Sequence, residues 1–101
     1  MVFKAAVVQD SPVIFNLQLT IDKVNSITEK AANNGASLIV FPEAFISAYP
    51  KGLDFGARVG NRTDRGREEF LEYYESSLSF DSKEYFKLLN IAKKNKIFLV
   101  I

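Results

Sequence analysis

Cysteine and histidine are both missing from this sequence of 101 residues. Without Cys there is no disulfide framework and no thiolate to hold a metal or attack an electrophile. Without His, neither a Ser-His-Asp nor a Cys-His nucleophilic arrangement can be assembled from this chain alone. A zinc site would have to use carboxylates, outside the usual N/S chemistry, so no metal and no cofactor is expected. Excess charge is also missing: 13 basic and 12 acidic side chains leave a net +1. Such a chain has no field to gather nucleic acid or an anionic membrane surface. No apolar run approaches the roughly 20 residues of a membrane helix. Residues 1–15, with Lys4 early and Gln9-Asp10 soon after, do not read as a signal peptide. The expected setting is therefore cytoplasmic, with neither nucleic acid nor membrane as partner.

What is present is the balance of an ordinary globular protein, 48% hydrophobic and 25% charged, which argues against disorder. Val2 to Val8 is almost continuously apolar and suits a strand covered on both faces. Asp10-Ser11-Pro12 ends it. Asn16 is placed to cap a long helix. Its apolar stripe runs Leu17, Ile21, Val24, Thr28, Ala31, with Gln18, Asp22, Asn25 and Glu29 on the other side. Asn33-Asn34-Gly35 is a stop signal, Gly35 being free to turn left-handed. Ala36 to Phe41 is a second buried strand. Strand, helix, strand predicts a parallel βαβ unit.

A short helix is expected from Arg67, with Phe70, Tyr73 or Tyr74, and Leu78 on one face. A second is expected near Asp81, where Asp81 and Glu84 have capping-box spacing. Its stripe would be Tyr85, Leu88, Leu89 and Ala92. Lys93, Lys94 and Lys96 suit its C-terminal dipole. Ile97 to Ile101 begins a third buried strand, at which the sequence stops without a polar cap. The expectation is the front part of a larger α/β domain, incomplete over residues 1–101 and cut within a strand.

Residues 42–66 carry no period but hold Gly52, Gly56, Gly60 and Gly66, Pro42 and Pro50, and the aromatics Phe45, Tyr49 and Phe55. A loop of that length after a parallel strand is where α/β proteins place their sites. The glycines form no phosphate loop, because no Gly-Lys-Ser/Thr follows. Charges alternate from Arg58 to Glu72 and read as a self-paired, solvated surface. Glu43 is the carboxylate to watch. It sits between a buried strand and an aromatic loop, where partial desolvation would raise its pKa toward general acid/base work. Pairing with an Arg, or capping a turn by accepting backbone N–H groups, is the alternative left open by the local pattern.

The run Phe41-Pro42-Glu43-Ala44-Phe45-Ile46-Ser47-Ala48-Tyr49-Pro50-Lys51-Gly52, with Phe55-Gly56 and Gly60 after it, closely resembles the nitrilases, the nitrile-hydrolysing branch of the carbon–nitrogen hydrolases. Lys4-Ala5-Ala6-Val7-Val8-Gln9 resembles that family's first strand. Gly66-Arg67-Glu68-Glu69-Phe70 with Tyr73 is similar too. The resemblance covers essentially the whole chain, as the family's N-terminal portion. It implies part of a four-layer α-β-β-α sandwich: β-α-β, then the loop, two helices and a third strand. It further implies a Glu, Lys and Cys catalytic set in which the Cys forms a thioimidate with the nitrile carbon. Glu43 matches the general base, and Tyr49 an aromatic position beside the substrate, with simple packing as the alternative left open for that ring.

The sequence departs from that pattern in having no Cys and no Lys after the third strand. Lys51 belongs to the Tyr-Pro-Lys-Gly loop, and Lys4, Lys23 and Lys30 read as solvated charges. The chain is thus expected to be inactive alone. Three further possibilities stand beside the nitrilase reading: a non-catalytic remnant or one half of a split protein, an amidase of the same superfamily, and a small binding module using the aromatic loop. The resemblance also implies a homo-oligomer assembled through the N-terminal helical region; association with a separate C-terminal portion belongs to the split-protein possibility. A small nitrile would be the substrate of the complete protein.

Overall fold

The computed structural model describes residues 1–49, 52–55 and 62–101. Three short parallel strands form one sheet in the order β1-β2-β3: β1 Ala5–Val7, β2 Leu38–Val40 and β3 Phe98–Val100. Helix α1 (Leu17–Asn33) joins the first two; α2 (Asp64–Glu75) and α3 (Lys83–Asn95) lie between the second and third. This is the α/β architecture expected of the N-terminal part of a carbon–nitrogen hydrolase fold.

The helix ends follow local chemistry. Asn16 Oδ1 accepts from the Leu19 N–H at 3.0 Å, satisfying an otherwise orphan donor. At the other end Gly35 takes φ +85°. Its N–H donates to Ala32 O and the Ala36 N–H to Ala31 O, the paired closure of a Schellman motif. Lys4 Nζ donates to Asn34 O at 2.8 Å, so this lysine braces the helix end rather than standing free in solvent. Helix α3 closes in the same way with Lys96 in the left-handed position, φ 49°.

Two sequence expectations about caps are corrected. Ser82, not Asp81, caps α3, its Oγ accepting from the Tyr85 N–H at 3.2 Å. Asp81 is instead held by Ser79 Oγ. Helix α2 begins at Asp64, ahead of Arg67, because the Thr63 hydroxyl accepts from the Gly66 N–H. The strands are also shorter than the apolar runs that carry them.

One face of the sheet is covered. Ala6, Ile39 and Leu99 are in register and pack with Ile21 and Val24 of α1 and Leu88 and Ile91 of α3 into the core. The α3 stripe is therefore Leu88 and Ile91. Leu89 turns outward, because α1 decides which side of α3 is buried. The other face is open, which corrects the expectation of strands covered on both sides. Its rows are Ala5, Leu38, Phe98 and Val7, Val40, Val100. Val7 is 78% exposed and Phe98 79%. The cause is topological. In a parallel sheet of order β1-β2-β3, successive crossovers that share one hand, as such crossovers normally do, leave α1 and α3 on the same side, where both pack. The radius of gyration, 16.0 Å, exceeds the about 13 Å of a compact 100-residue domain.

Thr28 is fully buried on α1, and its hydroxyl finds no partner among the described residues. An unpaired buried hydroxyl carries a desolvation cost of about 1–3 kcal/mol. Thr28→Val keeps the shape and removes that group, so it should raise the urea midpoint by up to about 1 kcal/mol of stability without changing the slope. A lowered midpoint would show that the hydroxyl has a partner in solution. Thr20 is the counterexample. Equally buried, it donates to Val13 O at 3.0 Å and accepts from Val13 N–H at 3.1 Å, tying the β1–α1 loop to the helix.

Candidate active site

The C-terminal edge of the sheet is built by hydrogen bonds that continue past the strands. Val8 N–H donates to Val40 O, and Phe41 N–H to Val100 O, both at 2.9 Å. The chain then leaves β2 at Pro42 and turns through residues 43–47. Phe41 and Phe45 are both buried, 5% and 1% exposed, with ring centroids 5.1 Å apart and planes tilted by 55°. These rings pin the two sides of the turn into the core. To bring Phe45 back after so short an excursion, Ala44 takes φ 53°, and Ala48 takes φ 67° as the segment leaves. A left-handed alanine costs roughly 1–2 kcal/mol. Sequence reasoning missed this feature, since alanine carries no signal for positive φ.

Glu43 opens this turn, directly after Pro42, and is exposed. The expected desolvation is therefore corrected: the buried places of the turn go to Phe41 and Phe45, and the carboxylate between them faces outward. Neither alternative from the local pattern holds either, as no ion pair or hydrogen bond engages Glu43 among the described residues. The acid that follows β1 differs. Asp10 is bound by Lys23 Nζ at 2.8 Å. That hydrogen bond, helped by the Ser11 N–H, holds the Asp10 carboxyl below its ordinary pKa. Lys23 is thus an ion-pair partner rather than a solvated charge. Of these two acids, Asp10 is held by a cation and Glu43 is unengaged among the described residues.

Tyr49 follows on the same loop and is 67% exposed. Phe55, Phe70 and Tyr73 form a cluster, with Phe55 centroids 5.6 Å from Phe70 and 5.5 Å from Tyr73. Phe15 of the β1–α1 loop reaches Tyr73 at 6.4 Å. The aromatic loop therefore divides its labour: Phe45 is core, Phe55 fastens the loop to α2, and Tyr49 is presented to solvent. Pro50, Lys51, Gly56, Arg58 and Gly60, which also figured in the sequence reading, lie outside the described residues. Downstream charges pair locally as expected, Arg65 with Glu69 at 3.3 Å and Arg67 with Asp64 at 3.8 Å. A 410 Å³ cleft runs between the outer edge of β1 and α1, lined by Lys4, Val8, Asp10, Ile27 and Lys30 among others; Glu43 does not line it. Glu29 is held below its ordinary pKa by its hydrogen bond from Lys94 at 2.6 Å, and Asp81 by that from Ser79; both are remote in sequence from the turn. Among the described residues no group of three or more acidic side chains is gathered as a metal site, and no helix is long and apolar enough to cross a membrane.

Comparison with known proteins gives the geometry its context. The carbon–nitrogen hydrolase family matches residues 4–101. The chain is 43% identical over 98 residues to a bifunctional nitrilase/nitrile hydratase of Nicotiana tabacum, covering 97% of this chain and 28% of that protein. It is 40% identical over 100 residues to nitrilase 2 of Arabidopsis thaliana, covering 99% and 30%. Against an aliphatic nitrilase of Sinorhizobium fredii it is 40% identical over 99 residues, covering 98% and 32%. The chain thus spans less than a third of the length of these relatives. With a family match running from Lys4 to Ile101 and an unengaged Glu43 at the strand end, this chain belongs to the carbon–nitrogen hydrolases, of the nitrilase type.

Proposed function

We propose that this chain supplies the general base and part of the substrate wall of a nitrile-hydrolysing site whose nucleophile comes from outside these residues. The observation that carries the reading is Glu43: an unpaired carboxylate at the C-terminal end of a parallel strand, on a turn anchored by Phe41 and Phe45. In the proposed sequence, Glu43 takes the proton of a cysteine thiol and the thiolate adds to the nitrile carbon. Water then attacks the resulting thioimidate, ammonia leaves, and a second water releases the carboxylic acid, so one nitrile and two waters give one acid and one ammonia. A lysine, also from outside these residues, would steady the charge that develops on the nitrogen. Tyr49 would line the substrate position.

The exposure of Glu43 bears on this directly. A base works best when burial brings its pKa toward the working pH, and the chain alone does not bury it. Cover has to come with the nucleophile. The test is a chimera in which residues 1–101 replace the matching segment of the Nicotiana tabacum relative. The chimera should release ammonia from a nitrile, whereas the 101-residue chain should release none. Release by the chain alone would overturn the reading. Turnover of amides but not nitriles by the chimera would instead favour amidase chemistry.

A further inference from the structure

We propose that Ala44 is a positioning residue for Glu43, acting through its left-handed backbone; the proposal rests on the reading of Glu43 as the base. A carboxylate that must meet a thiol and then a water needs a fixed direction, and 1 Å of misplacement can cost 10²-fold. Glu43 has no hydrogen bond or ion pair among the described residues to fix it. Among the described residues, what the structure fixes is the point from which the side chain leaves the backbone, its Cα–Cβ direction. That backbone is held at two points by the Phe41 and Phe45 rings, and between them the reversal falls on Ala44 at φ 53°. Glycine would adopt this φ without strain, yet the position carries a Cβ. A Cβ narrows the conformations open to the peptide that follows Glu43, where glycine would leave it several. Strained non-glycine residues cluster where function needs them, and here the strain sits one residue from the unpaired acid. Ala48, φ 67° and 3% exposed, closes the same segment under tighter packing, so its conformation serves the fold. Ala44, half-buried, is less constrained by packing.

The substitutions Ala44→Gly and Ala44→Asn, made in the chimera described above, separate positioning from simple accommodation of the turn. Asn tolerates the left-handed region while keeping a Cβ. The expected result is that Ala44→Gly lowers kcat about tenfold or more with KM nearly unchanged and thermal stability equal or higher. Ala44→Asn should keep kcat within about threefold. A merely structural role would leave kcat unmoved in both, because glycine only relieves strain. Full activity in Ala44→Gly overturns the proposal, as does an equal loss in both variants. Glu43→Gln in the same background tells which reading has failed. If it stays active, the base assignment is wrong; if it is inactive while Ala44→Gly is fully active, only the positioning role is wrong. Should the glycine variant not fold, loss of activity in a folded Ala44→Asn chimera overturns the proposal by itself.

Discussion

Glu43→Gln in the active chimera should lower kcat/KM for a nitrile by about 10²–10⁴, the range attributable to a positioned general base. Gln has nearly the same size and shape as Glu and cannot accept a proton from a thiol. The turn should be indifferent to the change, because Glu43 is exposed and makes no bond that Gln would break. Far-UV circular dichroism and the melting curve should therefore match those of the parent, so that lost turnover reports chemistry rather than folding. Glu43→Asp adds a second reading. It keeps the carboxylate and withdraws it by one methylene, and should fall between Gln and the parent because the proton acceptor is present but misplaced. Ammonia release under saturating and limiting nitrile gives both constants. Parent-like turnover in the Gln variant would remove Glu43 from the mechanism.

The largest effect on stability should come from Phe45→Ala. Phe45 is among the largest fully buried side chains, its ring tilted against Phe41 and packed in the cluster that includes Ile39 and Val24. Truncating a buried Phe typically costs about 3–5 kcal/mol, part from lost transfer and part from the cavity left behind. Whole domains hold only about 5–15 kcal/mol, and this one shields one side of its sheet. The variant should lose its cooperative urea transition or show it at much lower denaturant. Phe45→Leu, which restores most of the volume, should cost less than half as much. A transition in Phe45→Ala within about 1 kcal/mol of the parent would show that the ring is not part of the core.

The framework was legible from sequence because its signals are local. Asn16, the period-3.6 stripe and Asn34-Gly35 specify α1 with its ends, and the flanking apolar runs then have little choice but parallel pairing. Errors arose where local signals compete. Asp81 and Ser82 are adjacent and both are good caps; the Ser82 hydroxyl takes the Tyr85 N–H while Asp81 is held by Ser79. Leu88, Leu89, Ile91 and Ala92 offer two apolar faces, and α1 selects one. Strand burial was misread because an apolar run states that both faces can be covered, not that this chain covers them. At the site, the motif identified Glu43 as the residue of interest, while its exposure and the left-handed Ala44 depend on a backbone path that composition does not encode.

The bare rows Ala5-Leu38-Phe98 and Val7-Val40-Val100 have a bearing on life in a crowded cell. A half-clad sheet of this kind is sticky toward its own copies and attractive to chaperones. Whatever sheathes those rows, from the same polypeptide or another, would both stabilise the sheet and keep it from such encounters.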